Sequence, residues 1–104
     1  MNGFTVTVVQ HDELCQVTLR GELDSSTSPA LHAELAQADG RVVMDCQDLT
    51  FVDSSGVAEF VLLANRVESL TLVKPSASLQ RILETLGLTE LFQIEGEATG
   101  TGSR

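Results

Sequence analysis

The sequence predicts an α/β fold in which a mainly parallel β-sheet follows an N-terminal hairpin and is covered by α-helices. Three observations lead there. The first two apolar runs alternate with period two. After them, short β-branched runs take turns with longer stretches at helical spacing. Polar and glycine-containing breaks separate the runs, giving the order β-β-α-β-α-β-α-β.

The run "FTVTVVQ" places Phe4, Val6 and Val8 on one face and Thr5 and Thr7 on the other, as a half-buried strand does. "QHDE" is a polar turn, and "LCQVTLR" puts Cys15, Val17 and Leu19 on an inner face, so the two runs form an antiparallel hairpin. Gly21 is read as the turn that leaves it. Ser28 is the expected N-cap ahead of Pro29, with Leu31, Leu35 and Ala38 at helical spacing and Gly40 as the C-terminal cap. "RVVMDC" is short, branched and apolar, as for a strand buried on both faces. A helix is expected from about Ser55 to Val67, with Val57, Phe60, Val61, Leu63, Ala64 and Val67 facing the core. "SLTLVK" is the next strand. "PSASLQRILETLG" is a helix with Leu79, Ile82, Leu83 and Leu86 on one stripe and Gly87 as its stop. "LFQIE" closes the sheet.

The chain has 104 residues, which suits a single domain able to bury a core without disulfides or metals. Residues 1–95 are read as that domain and 96–104, small and rich in glycine, as a disordered tail. The longest unbroken apolar run, Phe60–Ala64, is far too short to cross a bilayer, so no membrane insertion is expected. With no basic leader before an apolar stretch, a cytoplasmic location is the expectation. Fifteen acidic against six basic residues give a net charge of −9, which repels phosphate backbones and argues against nucleic acid as a partner. Cys15 and Cys46 sit in strand-like runs and read as buried thiols rather than a disulfide or a zinc site.

One stretch raises a functional question: "LTFVDSSGVAEFVLLANRV", residues 49–67. Two hydroxyls, Ser54 and Ser55, stand where an apolar run gives way to a helix. Either serine serves as an N-cap, or one is a substrate for chemistry performed by another protein. Counting by three and four from Ser55 gives Ser55, Glu59, Leu62 and Arg66, the expected solvent stripe. A hydrolase is disfavoured, because D-S-S-G is not a G-x-S-x-G elbow and His11 and His32 have no evident route to the serines. No glycine-rich loop with lysine marks a nucleotide site. Asp45, Asp48 and Asp53 lack the spacing of an EF-hand, so no metal or other cofactor is expected.

Taken together, "LRGELD" (19–24), "VVMDCQDLTFVDSSGV" (42–57), "LVKPSASLQRILETLGL" (72–88) and "LFQI" (91–94) resemble the STAS domain of bacterial anti-sigma factor antagonists. The resemblance runs from about Phe4 to Ile94. It implies that the chain is not an enzyme and that Ser55 is phosphorylated by a partner that is both anti-sigma factor and serine kinase, with a GHKL-type ATPase fold. Asp24 and Asp53 match the acidic residues of the family's two segments. With Ser54, Ser55, Glu59, Leu62 and Arg66 they make up the implied partner surface. The family's cycle implies that the unphosphorylated protein binds the kinase and frees a sigma factor, that phosphorylation undoes this contact, and that a phosphatase restores it. A second STAS reading is a small subunit that docks on the ATPase of a lipid ABC transporter without phosphorylation. A third is a small-molecule sensor, for which no specific residues stand out.

Overall fold

The computed structural model describes residues 3–96. Of the expected tail, only Gly96 falls among them; 97–104 lie outside. The strands are β1 (Phe4–His11), β2 (Leu14–Leu23), β3 (Arg41–Val52), β4 (Ser69–Val73) and β5 (Gln93–Glu95). The helices are α1 (Ser28–Glu34), α2 (Ser54–Arg66) and α3 (Ala77–Thr85). Short 3-10 turns at Leu35–Gln37 and Thr89–Leu91 extend the chain after α1 and α3.

The five strands lie in the order β1-β2-β3-β4-β5, with β1 antiparallel to β2 and every later pair parallel. Each new strand after the hairpin is added on the same side. Right-handed crossovers that always step in one direction leave every helix on one face of the sheet. The core obeys this: Cys15, Val17, Leu19, Val42, Met44, Cys46, Leu70 and Leu72 point inward and join Leu31, Phe60, Leu63, Leu79 and Leu83 from the helices in one cluster. β3 is therefore buried on one face, not two as its sequence suggests. Val43 and Asp45 on its other side are half-exposed, and with Thr7, Val9, Gln16 and Thr18 they line an open surface.

Three local expectations change for physical reasons. Gly21 does not end β2; the strand runs on to Leu23 through register shifts, and Gly21 sits at φ +98 where a Cβ would fall 1.6 Å from the Gly3 carbonyl oxygen. Ser28 is the first buried residue of α1 rather than its cap; Thr27 holds the cap position. Gly40 lies beyond the 3-10 turn at φ +74, where its bare Cα clears the Glu13 carbonyl and lets the chain enter β3. Gly87 does stop α3. Its N–H donates to Glu84 O at 3.1 Å and that of Leu88 to Leu83 O at 2.8 Å, the paired bonds of a Schellman motif. The same reversal swings Leu86 into solvent and lets Leu88 pack on the core in its place.

Candidate functional site: a paired serine turn

β2 and β3 end side by side, with Leu23 opposite Val52. The Asp53 N–H donates to the Leu23 carbonyl at 3.2 Å, so the segments after the two strands are held together. After β3 the backbone of Asp53 is extended (φ −115, ψ −170) and α2 begins at Ser54. The N-cap is Asp53, not either serine. Its Oδ1 accepts from Ser55 N at 2.9 Å, Gly56 N at 3.4 Å and the Ser55 hydroxyl at 2.6 Å. A carboxylate is the stronger acceptor at the positive end of a helix, which is why it takes this place. Ser55 is half-buried with its Oγ held in one orientation, while Ser54 is exposed.

After β2 the same arrangement recurs. Asp24 Oδ1 accepts from Ser26 N at 2.9 Å, Ser26 Oγ at 2.6 Å and Thr27 N at 3.2 Å. The side-chain bond from Ser26, with the backbone bonds beside it, holds the Asp24 carboxyl below its ordinary value. Thr27 turns inward, its hydroxyl donating to Glu22 O at 2.9 Å.

Along α2 the remaining residues of the expected partner surface separate into two groups. Glu59 is partly covered by α1, with its Oε1 2.8 Å from His32 Nδ1. Arg66 donates to Leu35 O at 2.6 Å and Ala38 O at 2.9 Å, closing the end of the 3-10 turn. Leu62 is 57% exposed. Ser54, Ala58, Leu62 and Asn65 form the exposed line, joined at the end of the helix by Arg66, while Ser55 and Glu59 are half-buried. The solvent stripe is thus turned from the one counted in sequence, because α1 leans on the Glu59 side of α2. A groove of about 310 Å³ runs between the two helices, lined by His32, Leu35, Ala36, Glu59, Leu62 and Arg66.

Two contributors escaped the sequence reading. Phe51 is 51% exposed, two residues before the Asp53 turn, at an irregular part of β3 where strict alternation fails. Ser26 was legible only through the repeat of D-S-S at 24–26 and 53–55. Chemically, the site offers a serine hydroxyl directed at a carboxylate. The Nδ1 atom of His32 is taken by Glu59, and the described residues contain no group of three or more histidine, cysteine or acidic side chains able to hold a metal.

A family model described as "Mlab, STAS domain" matches residues 6–94. The chain belongs to the STAS family. The anti-sigma-B factor antagonist of Bacillus subtilis is 29% identical over 107 residues, covering 94% of this chain and 96% of that protein. An anti-sigma factor antagonist from Mycobacterium paratuberculosis superimposes with a TM-score of 0.75 at 24% identity, over 95% of this chain and 89% of that one. The anti-sigma factor antagonist SpoIIAA, 21% identical, matches in its unphosphorylated form at 0.71, over 95% of this chain and 90% of that one. The phosphorylated form from Bacillus matches at 0.65, over 95% and 94%. The STAS domain thus has a mixed five-stranded sheet with three helices on one side and the paired serine turn at the carboxyl ends of β2 and β3.

Proposed function

We propose that this STAS domain is an anti-sigma factor antagonist that binds its anti-sigma factor, a serine kinase of GHKL-type ATPase fold, in the cytoplasm. The observation that carries the reading is the Asp53–Ser55 turn, whose oriented hydroxyl stands at the start of α2, about two helical turns before an exposed apolar residue, Leu62. In the proposed cycle the unphosphorylated chain occupies the kinase and so frees a sigma factor. The kinase then transfers the γ-phosphoryl of MgATP to Ser55 Oγ. The Oγ–P bond forms, the bond from phosphorus to the bridging oxygen breaks, ADP leaves, and the hydroxyl proton goes to a base of the kinase. A phosphatase reverses the state.

The local chemistry supports a switch at this atom. Phosphorylation removes the O–H that Ser55 donates to Asp53 and adds about −1.5 to −2 charges beside that carboxylate. The N–H groups of Ser55 and Gly56 and the helix dipole offset part of the repulsion, so the fold tolerates the group. A protein seated on Asp24, Asp53, Ser54, Glu59 and Leu62 meets new bulk and charge at its centre. Arg66, committed to backbone carbonyls, supports the groove wall in this reading and contributes its aliphatic stem.

Affinity capture from native lysate, with and without ATP, tests the proposal when followed by phosphopeptide mapping. A kinase-fold partner lost on ATP addition, with phosphate on Ser55, is the expected result. Capture of a lipid-transporter ATPase with Ser55 unmodified would replace it with the docking-subunit reading. Ser55→Asp is expected to melt near the parent temperature yet bind the captured kinase weakly in calorimetric titration; unchanged affinity would overturn the switch.

A further inference from the structure

We propose that Ser26 is a second phosphoryl acceptor for the kinase that modifies Ser55, so that the molecule offers two similarly held hydroxyls on adjacent strand ends. The proposal rests on the Ser55 reading and extends it. A kinase that takes a serine two residues after an aspartate, at the end of a parallel strand, recognises a local shape. That shape occurs twice. In each copy the aspartate Oδ1 lies 2.6 Å from the serine Oγ and 2.9 Å from the serine backbone nitrogen. The register that pairs Leu23 with Val52 sets the copies side by side, on the same end of the molecule and within reach of one docked partner.

The differences between the copies favour access to Ser26. It is exposed where Ser55 is half-buried. The residue after it is Thr27 rather than Gly56; the threonine hydroxyl is bound to Glu22 O, and Ser26 stays exposed beside it. Ser25, like Ser54, makes no side-chain hydrogen bond among the described residues and is not held toward its aspartate. The transfer is the one written for Ser55. Ser26 Oγ bonds to the γ-phosphorus of MgATP as the bond to the bridging oxygen breaks, ADP departs, and the hydroxyl proton passes to the kinase's base. Two phosphates on neighbouring strand ends, flanked by Asp24 and Asp53 on a chain of net charge −9, repel one another. Singly modified molecules therefore dominate, and the doubly modified form falls several-fold below the product of the two single occupancies.

The test is intact-mass and phosphopeptide analysis of the tagged full chain recovered from its native cells in phosphatase inhibitors, as parent, Ser26→Ala, Ser55→Ala and Ser55→Ala/Ser26→Thr. Phosphate is expected on Ser26 in a fraction of the parent and at a raised share in Ser55→Ala. It should be absent from the corresponding peptide of Ser26→Ala and return as phosphothreonine in the double variant. Phosphate confined to Ser55, with none on Ser55→Ala, overturns the Ser26 proposal and leaves the Ser55 reading standing. Phosphate on Ser25, or on neither strand end in any sample, overturns it as well, and the latter removes the Ser55 reading with it. Melting curves of each variant separate loss of an acceptor from loss of the fold.

Discussion

A single oxygen, Asp53 Oδ1, satisfies two N–H groups at the start of α2 and fixes the Ser55 hydroxyl. Removing it leaves those donors to water and frees the serine. Asp53→Ala is expected to cost about 1–2 kcal/mol in denaturant melts. Ser54→Ala, which loses no bond among the described residues, should stay within about 0.5 kcal/mol of the parent. The reverse ranking would return the cap to the serine. Leu62 supplies the second residue-scale test. At 57% exposed it contributes little to the core, so Leu62→Ala should also shift stability by less than about 0.5 kcal/mol. As the anchor of a docked kinase it should weaken binding by more than about 1 kcal/mol. Parallel melts and titrations decide this, and an unchanged affinity would make the leucine a surface residue without a partner.

Glycine in the D-S-S-G turn acts between elements. A Cβ on Gly56 would lie 2.7 Å from Cγ and Cδ2 of Leu23 and from Cγ2 of Val52, both buried at the ends of β2 and β3. The glycine thus sets how closely α2 approaches the paired strand ends, and so where the serine sits. Gly56→Ala gains up to about 1 kcal/mol of helix propensity but forces overpacking worth roughly 1–3 kcal/mol. A net loss of about 1 kcal/mol is expected by urea denaturation; a gain would mean that Leu23 and Val52 yield freely. Element identities were legible because their apolar periods are strong. α2 runs from Ser54 to Arg66, one residue from the expected start and end, and its buried Val57, Phe60, Leu63 and Val67 lie on the predicted face. Val61 and Ala64 are only half-buried, which follows from the same rotation that turned the solvent stripe. What the sequence hid depends on neighbours. The six extra residues of β3 follow irregular register, the choice of Asp53 as cap depends on a carboxylate winning over hydroxyls, and Glu59 is drawn from solvent by a histidine 27 positions away.

Across the whole molecule, charge is the term that the packing does not balance. The chain carries fifteen acidic and six basic residues, yet among the described residues the single short contact between a carboxylate and a basic nitrogen is His32–Glu59, which is charged on both sides only when the mostly exposed imidazole is protonated. Arg66 spends its charge on backbone carbonyls rather than on a carboxylate. Attractive pairs are therefore few, and compaction mainly brings like charges closer. Screening then relieves more repulsion than attraction. Raising NaCl from about 0.02 to about 0.3 M, where the Debye length shrinks from roughly 20 Å to roughly 6 Å, is expected to stabilise the fold. For a domain of this size a gain of about 0.5–1 kcal/mol appears as roughly 2–8 °C in the melting midpoint. Should the negative surface also steer encounter with the proposed kinase, association is expected to slow over the same range. Salt therefore acts with opposite signs on the two measurements. A calorimetric melt and a stopped-flow association series in the same buffers provide the check. A midpoint that falls with salt would mean that attractive pairs outweigh the net charge of −9 in holding the fold together.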